Sequence, residues 1–337
     1  MALKIGVIGA GRIGKVHAET LVQRVPNAEV AAVADVIPAA AKELAERLHI
    51  PKATADYKEI LADKSIDAIA ICSATDTHSQ IIMEAAAAGK HIFCEKPVDL
   101  DLKRIDAALA AVAKAGVKLQ IGFNRRFDAN YARVRQAISS GEIGELHVVH
   151  IISRDPAPPP ISYVKVSGGI FMDMSIHDFD MARFLTGSEA LEVYTVASVK
   201  VDPAIGEAGD VDTAFVVMKF ANGATVTIDN SRKAVYGYDQ RVEAFGSGGA
   251  ISTENIYPNA ATISNGQSIR RDLPLNFFME RYTQSYANEM QAFVDAIVNN
   301  KPVPVTGADG RAPVVMGMAA KKSHLEQRPV KISEITA

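Results

Sequence analysis

The chain has 337 residues, 48% hydrophobic and 22% charged, with a net charge of -3. That balance is globular, and it offers no basic surface for nucleic acid or an anionic membrane. The length exceeds what one compact core usually holds, so two domains are expected. No apolar run spans a bilayer, and no basic leader with an apolar stretch opens the chain, so a cytoplasmic location is expected.

Lys4–Gly9 (KIGVIG) is a short β-branched apolar run and reads as a strand. Gly14–Val25 reads as a helix, Glu29–Asp35 as a second strand and Ala39–Leu48 as a helix. Ala68–Ser73 is a third strand, Gln80–Ala88 a helix, His91–Glu95 a strand, Leu102–Ala115 a helix and Lys118–Gly122 a strand. Continuous apolar strands alternating with helices imply a doubly wound parallel sheet of the Rossmann type, covered on both faces. After Gly122 the rhythm changes. Phe127–Ser139 and Gly169–Leu185 read as helices and Glu145–Arg154 as a strand. Leu191–Val201, Val211–Phe220, Gly223–Asn230 and Arg241–Gly246 then follow as closely spaced strands. They predict an α+β domain with a largely antiparallel open sheet. Gln284–Val298 and Gly307–Lys322 read as closing helices. The expectation is a nucleotide-binding domain over residues 1–122 and a substrate-binding and oligomerisation domain over residues 123–337.

Gly9-Ala10-Gly11-Arg12-Ile13-Gly14 fits G-x-G-x-x-G, and Asp35 closes the next strand 21 residues past Gly14. Alone the glycines are a weak signal; strand before, helix after and acid beyond make it strong. Gly9 suits the tight turn, Gly11 the close approach of a pyrophosphate, and Gly14 the packing of helix on sheet. The helix start, with Arg12 and Ile13, presents free N–H groups to phosphate. Asp35 can accept from ribose hydroxyls and repels a 2′-phosphate, and Val36, Ile37 and Pro38 rather than a basic residue follow it. NAD is therefore the expected cofactor. The alternative is that the glycines only turn the chain and Asp35 only caps a helix.

Two further segments carry chemistry. Glu95-Lys96-Pro97 ends the fourth strand, and ligands of open α/β sheets sit beyond the carboxyl ends of the strands. There Lys96 can hold a substrate hydroxyl and stabilise a developing alkoxide. Ser73, Thr75 and His78, which follow the third strand, are expected at the cofactor with Glu95 and Lys96. In the helix read over Gly169–Leu185, Asp173 and His177 stand at i, i+4 on one face. Alcohol oxidation needs a base at the hydroxyl, and an imidazole oriented by a carboxylate supplies it. The plain alternatives are a surface lysine, a packed helix histidine and an acid at a helix N-terminus. Met172, Ile176 and Phe179 form a separate apolar stripe and read as core. Cys72 and Cys94 sit in apolar strands and read as buried free thiols. His17, His49, His91 and His324 show no partner. No Cys/His cluster has zinc spacing, so no metal is expected.

VIGAGRIGKVHAE, Asp35, TDTHSQ, GKHIFCEKP and GFNRRFD, with the D-x-x-x-H of Asp173 and His177, resemble one family over essentially the whole chain. It is the glucose-fructose oxidoreductase / inositol dehydrogenase / rhizopine-catabolism (Gfo/Idh/MocA) family. The resemblance implies that Lys96, Asp173 and His177 form the catalytic group and that the peptide before Pro97 is cis. Ser153-Arg154-Asp155-Pro156, SGGIFMDMSIHDFDMARFLTG and AVYGYDQR are similar to the inositol-oxidising branch of that family. This implies NAD-dependent oxidation of myo-inositol to 2-keto-myo-inositol (scyllo-inosose) by a homotetramer. Asp155 and Tyr236 would line the polyol pocket, with Asn124 and Arg126 as further contacts. A polyol needs several mixed donors and acceptors, which these residues supply. The alternatives are the same chemistry on scyllo-inositol or an aldose, and a non-catalytic NAD-binding sensor. Neither a nucleic acid nor a membrane is an expected partner.

Overall fold

The structure is a computed structural model and describes residues 2–337. The chain forms two units, one made of the residues up to Phe127 with Gln284–Val314, the other of Asp128–Thr283 with Val315–Thr336.

In the first unit the strands are β1 (Leu3–Ile8), β2 (Ala28–Ala34), β3 (Lys52–Thr54), β4 (Ala68–Ile71), β5 (His91–Glu95) and β6 (Leu119–Gly122). They form a six-stranded sheet in the order β3-β2-β1-β4-β5-β6, with every pairing parallel. The expected doubly wound sheet is present, and the reason lies in composition. Ile5, Val7, Ile69, Ile71, Ile92 and Phe93 are completely buried, as strands covered on both faces require. The chain reverses its winding between β1 and β4, which places the carboxyl ends of all the strands along one edge with a crevice at the reversal. The short β3 and the helix Lys58–Ala62 carry too few periodic residues to stand out in the sequence.

The opening stretch of the first unit ends at Phe127, and the expected assignment of all later residues to the second domain differs from the structure. Helix Thr283–Val298 buries Met290, Phe293 and Val294 in the core cluster that contains Leu3, Val7 and Phe93. Ile121 N–H donates to the Val305 carbonyl at 3.1 Å, extending the edge beyond β6. Apolar burial thus returns Gln284–Val314 to the first unit.

The second unit contains β7 (Leu146–Arg154), β8 (Ala190–Ser198), β9 (Thr213–Phe220), β10 (Thr225–Ser231), β11 (Asp239–Gly246), β12 (Gly249–Ser252), β13 (Thr262–Ser264), β14 (Ile269–Arg271) and β15 (Val330–Lys331). Seven of them form one sheet in the order β12-β11-β7-β10-β9-β8-β15. The sheet is antiparallel except for the β7/β10 pair. Alternation along β9 shows its two faces: Ala214, Val216, Met218 and Phe220 are buried, while Phe215 and Lys219 are exposed. The helix Ser175–Thr186 belongs to the covered face through Ile176, Phe179, Ala182 and Leu185, all buried. Strands β13 and β14 pair only with each other.

Candidate active site

The nucleotide side is built from strand ends and one helix start. Gly9 has φ +103, and a Cβ there would fall 2.5 Å from the Cys72 carbonyl. A Cβ on Gly14 would fall 1.9 Å from the Gly9 carbonyl. Turn and helix packing therefore both demand glycine. Gly11 differs: nothing lies within 4 Å of where its Cβ would stand. That space, beside the first N–H groups of the helix Arg12–Arg24, is where a pyrophosphate can approach. The helix has no side-chain cap and no acidic residue in its first turn, so no side chain of the helix itself competes with an anion for its first N–H groups. Arg12 is exposed and Ile13 half-buried.

The Asp35 carboxylate accepts from Ala10 N–H at 2.6 Å and from Ile37 N–H at 2.8 Å. It holds the glycine turn, a role the sequence did not disclose. A carboxylate offers about four lone-pair positions, so acceptor capacity is left for ribose hydroxyls. Val36 and Ile37 after it are exposed and apolar, with no cation for a 2′-phosphate. The residues present fit NAD.

The helix Thr75–Ala87 begins five residues earlier than the sequence suggests, so Thr75 and His78 lie in its first turn. Ser73 Oγ and Thr77 Oγ1 are hydrogen-bonded at 2.7 Å. His78, expected at the cofactor, is instead 2% exposed. Its Nδ1 lies 2.8 Å from the Pro97 carbonyl and its Nε2 3.1 Å from the Ser73 carbonyl. The ring ties the end of β4 to the loop after β5, and both its polar atoms are occupied by backbone.

Glu95 is likewise engaged within the protein. Its Oε1 is 2.6 Å from His17 Nε2 and its Oε2 accepts from Lys96 N–H at 3.2 Å. His17, read as partnerless, is completely buried, with its ring edge-to-face against Phe93 and Tyr286. A Cβ on Gly122 would stand 3.1 Å from the Glu95 carboxylate, which accounts for glycine at the end of β6. The Lys96–Pro97 peptide is cis. Cys72 and Cys94 are free and buried; burial first, and the Glu95 charge second, push both thiols up.

Asn124 opens a 3-10 turn and is buried. Arg126, expected at substrate, donates to Asp309 at 3.1 Å. Burial would raise the Asp309 carboxyl, but the Arg126 charge and the Thr306 hydrogen bonds outweigh it and hold it below the usual range. This ion pair, with both partners in the first unit, gives Arg126 a structural engagement the sequence does not show.

In the second unit the expected continuous helix is two: Ile170–Asp173 and Ser175–Thr186, broken at Met174. Gly168 and Gly169 both have positive φ, and Ile170 N–H is capped by the Asp210 carboxylate at 3.0 Å. Asp173 thus ends one helix and His177 lies in the first turn of the next. That first turn is pinned. Ser175 Oγ donates to Asn230 Oδ1 at 2.6 Å, and Asn230 Nδ2 donates to Asp178 at 2.8 Å. His177 stands between these two anchors to β10.

Asp173 accepts from Tyr163 Oη at 2.8 Å and from Arg232 Nη1 at 2.7 Å. The same guanidinium lies 3.6 Å from Asp155. The structure therefore brings Asp155 and Asp173 together around Arg232. Tyr236 is engaged elsewhere: it donates to Asp239 at 2.6 Å and accepts from Arg154 at 3.1 Å. Burial and the Asp239 bond push its phenol up. Burial alone would also raise Asp239, but bonds from Arg241, Tyr236 and Asn255 hold it below the usual carboxylate range.

Two family models match the chain. One is described as an oxidoreductase family with an NAD-binding Rossmann fold and covers residues 3–123; the other is the GFO/IDH/MocA C-terminal domain, over residues 131–252. The chain belongs to the Gfo/Idh/MocA oxidoreductase family. Family relatives include the myo-inositol 2-dehydrogenase of Thermotoga maritima, 48% identical over 99% of both chains. The inositol 2-dehydrogenase of Rhizobium meliloti is 48% identical over 99% of this chain and 100% of its own. Among solved structures, a probable dehydrogenase from Thermotoga maritima superposes with a TM-score of 0.97 at 48% identity, covering 99% of this chain and 100% of its own. The scyllo-inositol dehydrogenase of Lactobacillus casei, with bound NAD(H) and scyllo-inositol, has a TM-score of 0.93 at 32% identity, covering 99% and 100%.

Sequence reasoning missed Arg232, Tyr163 and the His17–Glu95 pair. Arg232 and Asp173 are 59 residues apart, and His17 and Glu95 are 78 apart, so no local spacing marks them. The one available signal was that Arg232 stands two residues before the AVYGYDQR stretch.

Proposed function

We propose that this protein oxidises myo-inositol to 2-keto-myo-inositol, with NAD as hydride acceptor. One observation carries the reading: the likeness to an enzyme named myo-inositol 2-dehydrogenase runs over 99% of both chains, so it takes in the substrate-domain loops as well as the cofactor domain. Fold alone would not support a substrate.

In this mechanism His177 takes the proton of the reacting hydroxyl, and Asp173 orients the imidazole. Lys96 donates to the same oxygen and stabilises its developing negative charge. Bound NAD supplies the electrophilic carbon that takes the hydride. Asp155 accepts from ring hydroxyls, with Asn124, Arg126 and Tyr236 assigned supporting roles around the polyol. The cofactor is assigned to Gly9, Gly11, Arg12, Ile13, Gly14, Asp35, Ser73, Thr75 and Lys96, while His78 and Glu95 act behind that surface.

The test is a panel of myo-inositol, scyllo-inositol and glucose with NAD, followed at the reduced nicotinamide absorbance, with the product identified by NMR. Highest kcat/KM on myo-inositol is expected. Preference for scyllo-inositol or glucose would overturn the substrate, and NAD binding without any turnover would overturn the enzyme.

Self-association is part of the reading. Tyr194, Val196, Phe215 and Phe245 are exposed on the outer side of the second unit's sheet, an apolar face of the kind that marks an interface. We assign it to a homotetramer, which light scattering tests. No helix among the described residues is long and apolar enough to cross a membrane, and we place the reaction in the cytoplasm.

A further inference from the structure

We propose that Arg232 is a positioning residue of the polyol reaction, fixing Asp155 and Asp173 against one another so that hydroxyl recognition and proton transfer share one rigid frame. The inference rests on the proposed function, in which those two carboxylates serve substrate and chemistry.

Arg232 follows β10 and is 2% exposed. Its backbone is held by Arg232 N–H donating to the Asp212 carbonyl at 2.8 Å. Its Nη1 stands 2.7 Å from Asp173 Oδ2 and 3.6 Å from Asp155 Oδ2. The other oxygen of Asp173 accepts from Tyr163. The main chain of Asp155 is clamped as well: its N–H donates to Ser231 at 2.9 Å and its carbonyl accepts from Ala234 at 2.6 Å. Each carboxylate is therefore located by the chain on one side and by the same cation on the other.

Charge gives this arrangement its function. The side chains of Asp155 and Asp173 are 21% and 14% exposed, so water screens them poorly. Two such anions repel, and without a cation they separate or one takes up a proton. Asp210 adds a third negative charge that bears on the guanidinium, although its carboxylate is already bonded to Ile170 N–H. With Arg232 in place, Asp173 is a fixed anion whose two oxygens are both engaged. In the proposed function the base role falls to His177 and the orienting role to Asp173, whose carboxylate Tyr163 and Arg232 hold in place. Removing one partner of a buried ion pair leaves the other charge uncompensated, and here the loss of Arg232 leaves two carboxylates so.

The test is a double-mutant cycle on the full-length enzyme. Arg232→Gln, Arg232→Lys, Asp173→Asn and the double variants are checked for folding by thermal melts and for NAD affinity by titration. Arg232→Gln is expected to lower kcat by on the order of 10²-fold, the scale of a misplaced reacting group, with NAD affinity unchanged. Arg232→Lys keeps the charge and loses the fork, and is expected to lower kcat about tenfold. Combined with Asp173→Asn, either substitution adds little further loss in kcat, because Arg232 reaches proton transfer through Asp173 and hydroxyl recognition through Asp155. Multiplying losses in the double variants, or wild-type kcat in a folded Arg232→Gln, would overturn the proposal. If Arg232→Gln does not fold, the Arg232→Lys cycle decides by the same criterion. Wild-type turnover in Asp173→Asn alone refutes the catalytic reading instead.

Discussion

Gly11 and Gly14 stand three residues apart in one motif, yet the structure gives them separable roles. At Gly14 an added methyl falls 1.9 Å from the Gly9 carbonyl, where contact begins at about 3.5 Å. The helix Arg12–Arg24 has to retreat by more than an ångström, and overpacking of this kind costs about 1–3 kcal/mol. A loss of about 2 kcal/mol lowers the melting temperature of a domain this size by about 4–8 °C. At Gly11 an added methyl meets nothing within 4 Å, and the backbone, φ -72 and ψ -168, is open to alanine. Replacing glycine by alanine at a helix N-cap costs about 0.5–1 kcal/mol, and the smaller unfolded-state entropy of alanine offsets it by about as much. The methyl does occupy the approach to the helix N–H groups. Displacing one charge-assisted hydrogen bond costs about 1.5–3 kcal/mol, which is about 10–100-fold in Kd for NAD. Thermal unfolding without cofactor, set beside NAD titration by calorimetry, separates the two. Gly14→Ala is expected to melt early, and Gly11→Ala to melt normally and bind NAD poorly. A Gly11→Ala variant as unstable as Gly14→Ala, or one that binds NAD like wild type, would refute the reasoning.

Three other outcomes follow from the geometry. His177→Ala is expected to lose on the order of 10²–10⁴-fold in kcat with NAD affinity intact, since general-base catalysis contributes about that much; steady-state turnover near wild type rejects the role. Asp35→Asn keeps the side-chain size but removes the charge, so the NAD-to-NADP ratio of kcat/KM should fall on the order of tenfold, and an unchanged ratio counts against Asp35 as the discriminator. The Asp239 carboxyl is held below its usual range in the fold by its hydrogen bonds, despite burial. The stability it confers is therefore complete above the unfolded-state pKa of about 3.9 and disappears as the pH falls through the lower folded-state value. Asp239→Asn should thus destabilise clearly in urea at pH 7, with the gap to wild type narrowing below about pH 3.5; a gap that widens on acidification is the contrary result.

The nucleotide half was legible because its signals are local. Gly9, Gly11, Gly14, the strand before them and Asp35 after them occupy one short stretch, and each part answers a steric or electrostatic need that spacing alone expresses. The position of Lys96 is local in the same way, one residue beyond β5 at the carboxyl end of the strand. The stripe of Met172, Ile176 and Phe179 was read as core and is buried. Helical periodicity did not reveal the break at Met174, and the side chains that hold the segments on either side of it come from far along the chain, Asp210 at Ile170 and Asn230 at Ser175.

By itself the sequence determined the parallel sheet, the glycine turn and the residue types available for alcohol oxidation. These follow from backbone sterics and burial patterns that repeat over a few residues. Only the tertiary structure decided that Arg232 joins Asp155 to Asp173, that His17 reaches Glu95, and that Gln284–Val314 packs with the first unit. Those choices depend on which distant side chains become neighbours once water is excluded. A buried charge must find its partner wherever the fold delivers one, and no local spacing records where that is.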